Sequence, residues 1–476
     1  MRHAVLALSG LHECALVKPG EINSPEWIFA LQEYGKAMGA MRTWDAGRES
    51  EAVPLLVCLL FVCIEFLLDR EPVSQLHITQ GRQILSQMSQ NQSPAFRVIK
   101  SRLVPIFARL GLVSFLFGNM PPPIPDYLRT PHEPAAELNS LDAAREILYQ
   151  ILEDSLRFTT LATPAKFALE VDEKRLDELQ VQQDRLLSRL SSWHTAFTIL
   201  QLSKGGDPNT ASRNQSTLLM IYYHTANVWI STVLQAQECR FDAHVADFAA
   251  IITLSSTIIN SFASEVEPRI FSFETVVIAP LYWAAIKCRH PVLRRAAVKQ
   301  LTRHELNGRR ENLWSADITA LVTMAVIKME EGSDDIEDDA DTRETREAPA
   351  TAIYEDQASV WLDQPPTMKK LVPNFSVTVL DRVLEDFVGG SPGSRADTDS
   401  NGQSPASNAT STYSLSDRIP KIRAVTTQQE PFGVSEEARI SNAIIGPKEN
   451  GGVWITTFRD IGESTWWDMQ RKFLKL

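Results

Sequence analysis

Residues 170–202, EVDEKRLDELQVQQDRLLSRLSSWHTAFTILQL, carry the reading that decides the fold class. Leu176, Leu179, Leu186, Leu190 and Trp193 recur at helical spacing and fall on one narrow seam, with the many charges turned elsewhere. The stretch predicts a long helix packed antiparallel against its neighbours along that seam. Working outward, residues 141–159 and 217–235 show the same periodicity. Near the N-terminus, Pro25 stands at a first helical turn after Ser24, and Trp27, Leu31, Tyr34 and Met38 then share a face that runs to about Gly39. Residues 53–68 are apolar but hold Pro54 and Glu65 and fall short of the roughly 20 residues that span a bilayer, so they read as a buried core helix. Pro121-Pro-Pro-Ile-Pro125 cannot continue a helix and marks a loop between two helical blocks.

The expected fold class is therefore all-α: an irregular multi-helix domain without a fixed repeat, interrupted by acidic and low-complexity linkers and closed by a small C-terminal β-hairpin. The helical domain covers residues 1–329. Residues 330–351 form an acidic linker, in which 330–347 hold ten acidic residues against two arginines. It reads as a solvated spacer, with an acidic contact for a basic partner, or an activation segment, as the alternative. Residues 352–388 contain a helical candidate at 379–387 expected to dock on the body, and residues 389–417, rich in Gly, Ser, Asp, Asn and Thr, are expected to be disordered. Within 418–476, Ile440–Ile445 pairs across a Lys448–Gly452 turn with Val453–Phe458, and Trp466 and Trp467 offer apolar bulk against that hairpin or to a partner.

The chain has 476 residues, 44% hydrophobic and 22% charged, with 47 Lys and Arg against 59 Asp and Glu for a net charge of −12. That composition is globular, and its sign disfavours a surface that binds nucleic acid everywhere. Five scattered cysteines (14, 58, 63, 239 and 288) make no disulfide framework and point to a reducing compartment. His12 and Glu13 cut the N-terminal apolar run short of a signal-peptide core, so the four glycosylation sequons are set aside.

Catalytic and metal constellations are sparse in the sequence. His12-Glu13-Cys14, Cys58 with Cys63, and Cys288-Arg-His290 lack the paired soft ligands of a zinc site, and Lys204-Gly-Gly-Asp207 lacks the rest of a phosphate loop. His194, His224 and His290 read as helix-packing histidines. Residues 287–310 concentrate Lys287, Arg289, Arg294, Arg295, Lys299, Arg303, Arg309 and Arg310 against Glu305. With Leu293, Ala297 and Leu301 as an apolar stripe, they read as a helix with a solvated basic face, or one paired with the acidic linker in cis. No enzyme is expected. The candidate effector or partner groove lies where aromatic residues gather in sequence: Trp193, Tyr222, Tyr223, Trp229, Tyr282 and Trp283, with core packing as the plainer account of most of them.

Several strings occur in order along the chain: RHAVLALS at 2–9 with LHE at 11–13, LLVCLLFVCIEFLL at 55–68, HITQGRQIL at 77–85, and SWHTAF at 192–197. They continue with YYH at 222–224 and Trp229, FETVVIAPLYWAAIKCRHPVLRR at 273–295, and RRENLW at 309–314. Together they resemble the regulatory region of fungal zinc-cluster (Zn2Cys6) transcription factors, particularly those beside secondary-metabolite gene clusters. The resemblance covers residues 1–330 and weakly the C-terminal hairpin. The six-cysteine cluster, linker and coiled coil of that family are not found in this sequence, so no DNA-binding residue carries over, and zinc is expected only if a cluster lies upstream of Met1. The resemblance implies a nuclear transcription regulator, or the regulatory half of one. Its implied partners are other regulators or a small effector, with DNA reached only indirectly or through a further domain, no membrane, and a homodimer left open. The contrasting expectation is a cytoplasmic helical protein-interaction scaffold.

Overall fold

The computed structural model describes residues 1–17, 24–43, 50, 52–90, 93–116, 121–129, 138–166, 172–203, 210–235, 237–263, 271–332, 432–449, 451–459 and 468–475. The helical candidate at 379–387, the two linkers beyond Gly332, Lys204–Asp207 and the Trp466–Trp467 pair lie outside them.

The body is helical, as its apolar periodicity requires. Helices α1 (Arg2–Val17), α2 (Pro25–Arg42), α3 (Ala52–Leu67) and α4 (Glu71–Gln87) lead into α5 (Pro94–Val98), a π turn at Ile99–Leu103 and α6 (Val104–Leu116). After the proline loop come α7 (Leu141–Lys166), α8 (Glu173–Ser203) and α9 (Thr210–Thr232). A 3-10 segment (Glu238–His244) then runs into α10 (Val245–Phe262), followed by α11 (Ile278–Lys287), α12 (Pro291–Leu301) and α13 (Ala316–Glu331). Local chemistry sets several starts. Ser24 and Ser93 each accept the backbone N–H three residues on, with proline at the first helical position, and His290 does the same for Leu293 ahead of α12. Gly332, at φ +64, closes α13 in the left-handed conformation that a side chain disfavours.

Successive long helices run antiparallel. Trp193 of α8 donates to the Ala144 carbonyl of α7 at 2.8 Å, Gln183 of α8 reaches the Ile230 carbonyl of α9, and Asn214 of α9 pairs with Ser261 of α10. The α8 seam is buried at Leu179, Leu186, Leu190 and Trp193, widened by Ala196, Phe197 and Leu200. The α2 stripe differs from its sequence reading. Its buried face is Ala30, Glu33, Tyr34 and Ala37, whereas Met38 is exposed. Small residues explain the rotation: a Cβ on Gly10 of α1 would lie 3.1 Å from that of Ala30, so the helices meet where they are thinnest.

Two small sheets were less legible. Strands β1 (Phe271–Ser272), β2 (Arg310–Glu311) and β3 (Trp314–Ser315) stitch the α10–α11 and α12–α13 connections. At the C-terminus the expected hairpin forms between β4 (Ile440–Glu449) and β5 (Gly452–Arg459), but a third strand, β6 (Asp468–Lys475), extends it to an antiparallel sheet. Ile440, Val453, Ile455 and Leu474 enter the same core as Phe248, Ile252, Leu281, Ala297 and Val326 of α10–α13. The sheet is thus one wall of that core. The last helix carries Glu330 and Glu331, the first two acids of the acidic run, into the body.

Candidate functional site

The six aromatic residues divide between two cores. Trp193 and Tyr222, with half-buried Tyr223 and Trp229, belong to the α7–α9 core, whereas Tyr282 and half-buried Trp283 belong to the α10–α13 core. Trp193 stacks on Phe197 and Tyr223, Tyr222 tilts on Tyr149, and Trp229 meets Phe115. Tyr282 meets Trp314, and Trp283 lies against Phe241 and Phe248. Within each core these rings fill space between helices. Burial also pushes the Tyr149 hydroxyl up to about 12.

The histidines have structural partners. His194 stacks on Tyr223 at 4.3 Å, His224 and His244 share the Asp247 carboxylate, and His290 caps α12. Burial raises Asp247, but the hydrogen bonds from His224 and His244 outweigh it and hold the carboxyl near 2. Burial pushes the thiols of Cys58 to about 11 and of Cys63, Cys239 and Cys288 to about 12, which keeps them protonated at neutral pH. Among the described residues no three His, Cys, Asp or Glu side chains are grouped to hold a metal.

A second polar cluster lies between α2, α3 and α4. Tyr34 donates to Glu65 at 2.6 Å and lies 3.1 Å from His77 Nε2. The single tyrosine proton is committed to Glu65, so the neutral His77 donates from Nε2. Burial lowers His77 to about 4 and raises Glu65. Glu65 and Tyr34 are buried, so the cluster acts on helix packing rather than on a dissolved substrate.

The basic stretch 287–310 departs most from its sequence reading. Its helix, α12, ends at Leu301, and Lys287, Arg289, Arg294 and Arg309 are buried rather than solvated. A buried guanidinium requires a carboxylate, and the fold supplies one from each side. Arg289 pairs with Glu238 and Glu330, Arg294 with Glu330 at 2.6 Å, and Lys287 with Glu238 at 2.8 Å. Glu330 belongs to the acidic run, so pairing with it in cis occurs through α13.

Four residues of this seam were not singled out from sequence: Glu238, Asp242, Glu436 and Arg439. Arg439 binds Asp242 through two parallel hydrogen bonds of 2.9 and 2.8 Å, with both side chains 1% exposed. Glu436 accepts the backbone N–H groups of Glu238 and Cys239 where the 3-10 segment begins. Glu330 accepts the Ile440 N–H at 2.7 Å, while Lys287 and Arg289 donate to the Ser441 and Ile440 carbonyls. Burial raises Glu238, but Lys287, Arg240 and Arg289 together pull it to about 2; burial itself lowers Lys287 to about 8. The only sequence signal was the Glu-Glu-Ala-Arg string before β4, and spacing alone assigns it no partner 197 residues away. Chemically, the seam holds a 3-10 turn (Glu436–Ala438) and the strand start that follows it, together with one carboxylate and one guanidinium.

Comparison with family models, curated proteins and solved structures returned no match for this chain.

Proposed function

We propose that the chain is a non-enzymatic transcription regulator, or the regulatory half of one, acting in the nucleus on a fungal secondary-metabolite gene cluster through protein or effector contacts. The observation that carries this reading is the ordered set of strings between residues 2 and 314 that resemble the regulatory region of fungal zinc-cluster factors. Those strings coincide with core elements: 55–68 with α3, 77–85 with α4, 192–197 with α8, and 273–295 with α11 and the first turns of α12. Resemblance concentrated in buried elements is what a shared body produces. Other regulators or a small effector are its proposed partners; no cofactor is assigned to the chain.

A second reading, a cytoplasmic helical scaffold, is favoured by the seam, whose chemistry is that of peptide contact. Imaging the tagged protein separates the two, because the regulator enters nuclei under at least one growth condition and the scaffold under none. Chromatin occupancy and transcript levels after deletion then test the regulator directly: promoter association with altered cluster expression is expected. Absence of both would overturn it.

A further inference from the structure

Within residues 435–441, Ser-Glu-Glu-Ala-Arg-Ile-Ser, body groups hold Glu436, Arg439, Ile440 and Ser441. Asp242 takes the Arg439 guanidinium, and the N–H groups of Glu238 and Cys239 take the Glu436 carboxylate. Glu330, Arg289 and Lys287 bind the backbone of Ile440 and Ser441, and Ile440 enters the core beside α10–α13. Backbone contacts that accept any residue, joined to side-chain contacts that accept one type, are how peptide ligands are recognised.

We propose that this seam is a peptide-acceptor site of the helical body and that residues 435–441 are its built-in occupant. A partner peptide that adopts the same 3-10 turn (Glu436–Ala438 in this chain) and the strand start after it, with a carboxylate followed three residues later by an arginine and then an aliphatic residue, competes for the same site. This inference is independent of the transcriptional reading.

Charge complementarity argues for that occupant. Asp242 and Arg439 are both buried, so a peptide lacking the arginine leaves an uncompensated carboxylate, which discriminates strongly against it.

The test uses the full chain with a specific protease site inserted between residues 395 and 396, cut after purification, and a fluorescent synthetic peptide spanning residues 432–476. The cut C-terminal fragment is expected to co-elute with the body, and the labelled peptide to exchange into the cut chain saturably and into the uncut chain more weakly. Unlabelled peptide carrying Arg439→Ala should compete about a hundredfold worse or more than the wild-type peptide. Glu436→Ala should also compete worse. Because these changes sit in the added peptide, they leave the body's folding untouched. Equal competition by the wild-type and Arg439→Ala peptides would overturn the proposal, as would loss of helical circular dichroism on cutting, which would make the segment a strut. A dimer of the uncut chain that dissociates on dilution and is abolished by Arg439→Ala would also overturn it, by giving the site to a second copy.

Discussion

Arg439 shows how one residue far along the chain completes a site begun by another. Its two hydrogen bonds to Asp242 lie in a region where neither side chain meets water, so removing the guanidinium strands a buried carboxylate. Arg439→Met should therefore cost about 3–5 kcal/mol in urea unfolding, and adding Asp242→Leu should recover much of that loss, because an apolar pair is often no worse than a buried ion pair. Titration gives a second residue-scale expectation. His77 is a base whose folded value, about 4, lies below its unfolded value near 6.5. Protons then bind the unfolded chain more readily, so its contribution is lost as pH falls from about 6.5 to 4. Glu238 and Asp247 are acids held near 2, and their contribution is complete above their unfolded values and lost as pH falls from about 4.5 to 2. Urea midpoints followed from pH 7 to pH 3 should decline through both windows. His77→Gln should flatten the upper one, by on the order of 1–2 kcal/mol, since the ring is partly exposed and screened. If the upper window survives that substitution, the assignment to His77 fails.

Elements divide by how much of their cause is local. Helices such as α8 and α3 were legible because their apolar spacing and their burial are the same fact seen twice. The strands β1–β3 were not, since two residues carry no period, and only the arrival of a neighbour makes them strands. Strand β6 reads DMQRKFLK, with charges at four of eight positions, and it exists because β5 offers it an edge along which Trp454 and Phe473 pair. The contact between α4 and α6 depends on one missing methyl group. A Cβ on Gly81 would collide with the Phe107 ring, which is itself fully buried and cannot swing aside. Gly81→Ala should destabilise by about 1–3 kcal/mol despite its better helix propensity, a sign reversal that thermal unfolding beside an exposed control, Gly39→Ala, would reveal.

On the scale of the molecule, the C-terminal sheet and the last helices of the body share one hydrophobic core, so loosening the sheet should loosen those helices without unfolding the body. Ile455→Ala, at a fully buried sheet position, should cost about 2–5 kcal/mol and raise amide exchange in α11 and α13 as well as in β5. Faster exchange confined to the sheet would show two independent units instead. The groove expected from Trp193, Tyr222, Tyr223, Trp229, Tyr282 and Trp283 was legible only as a set of apolar faces. Spacing says which residues share a face but not which other helix meets it, and that is why the six divide between two cores. The seam was illegible for the same reason in its polar form: Lys287, Arg289 and Arg294 look alike in sequence to Arg295, which is 55% exposed on its side chain, until Glu238 and Glu330 are seen beside them.

The Asp242–Arg439 pair also sets a timetable for synthesis. At about 5–20 residues per second, a ribosome needs on the order of 10–40 seconds to travel the 197 positions from one to the other. Throughout that interval the newly emerged helices hold a carboxylate without its guanidinium and a core without its last wall. The nascent chain therefore exposes that carboxylate and the open side of its core until its last residues emerge.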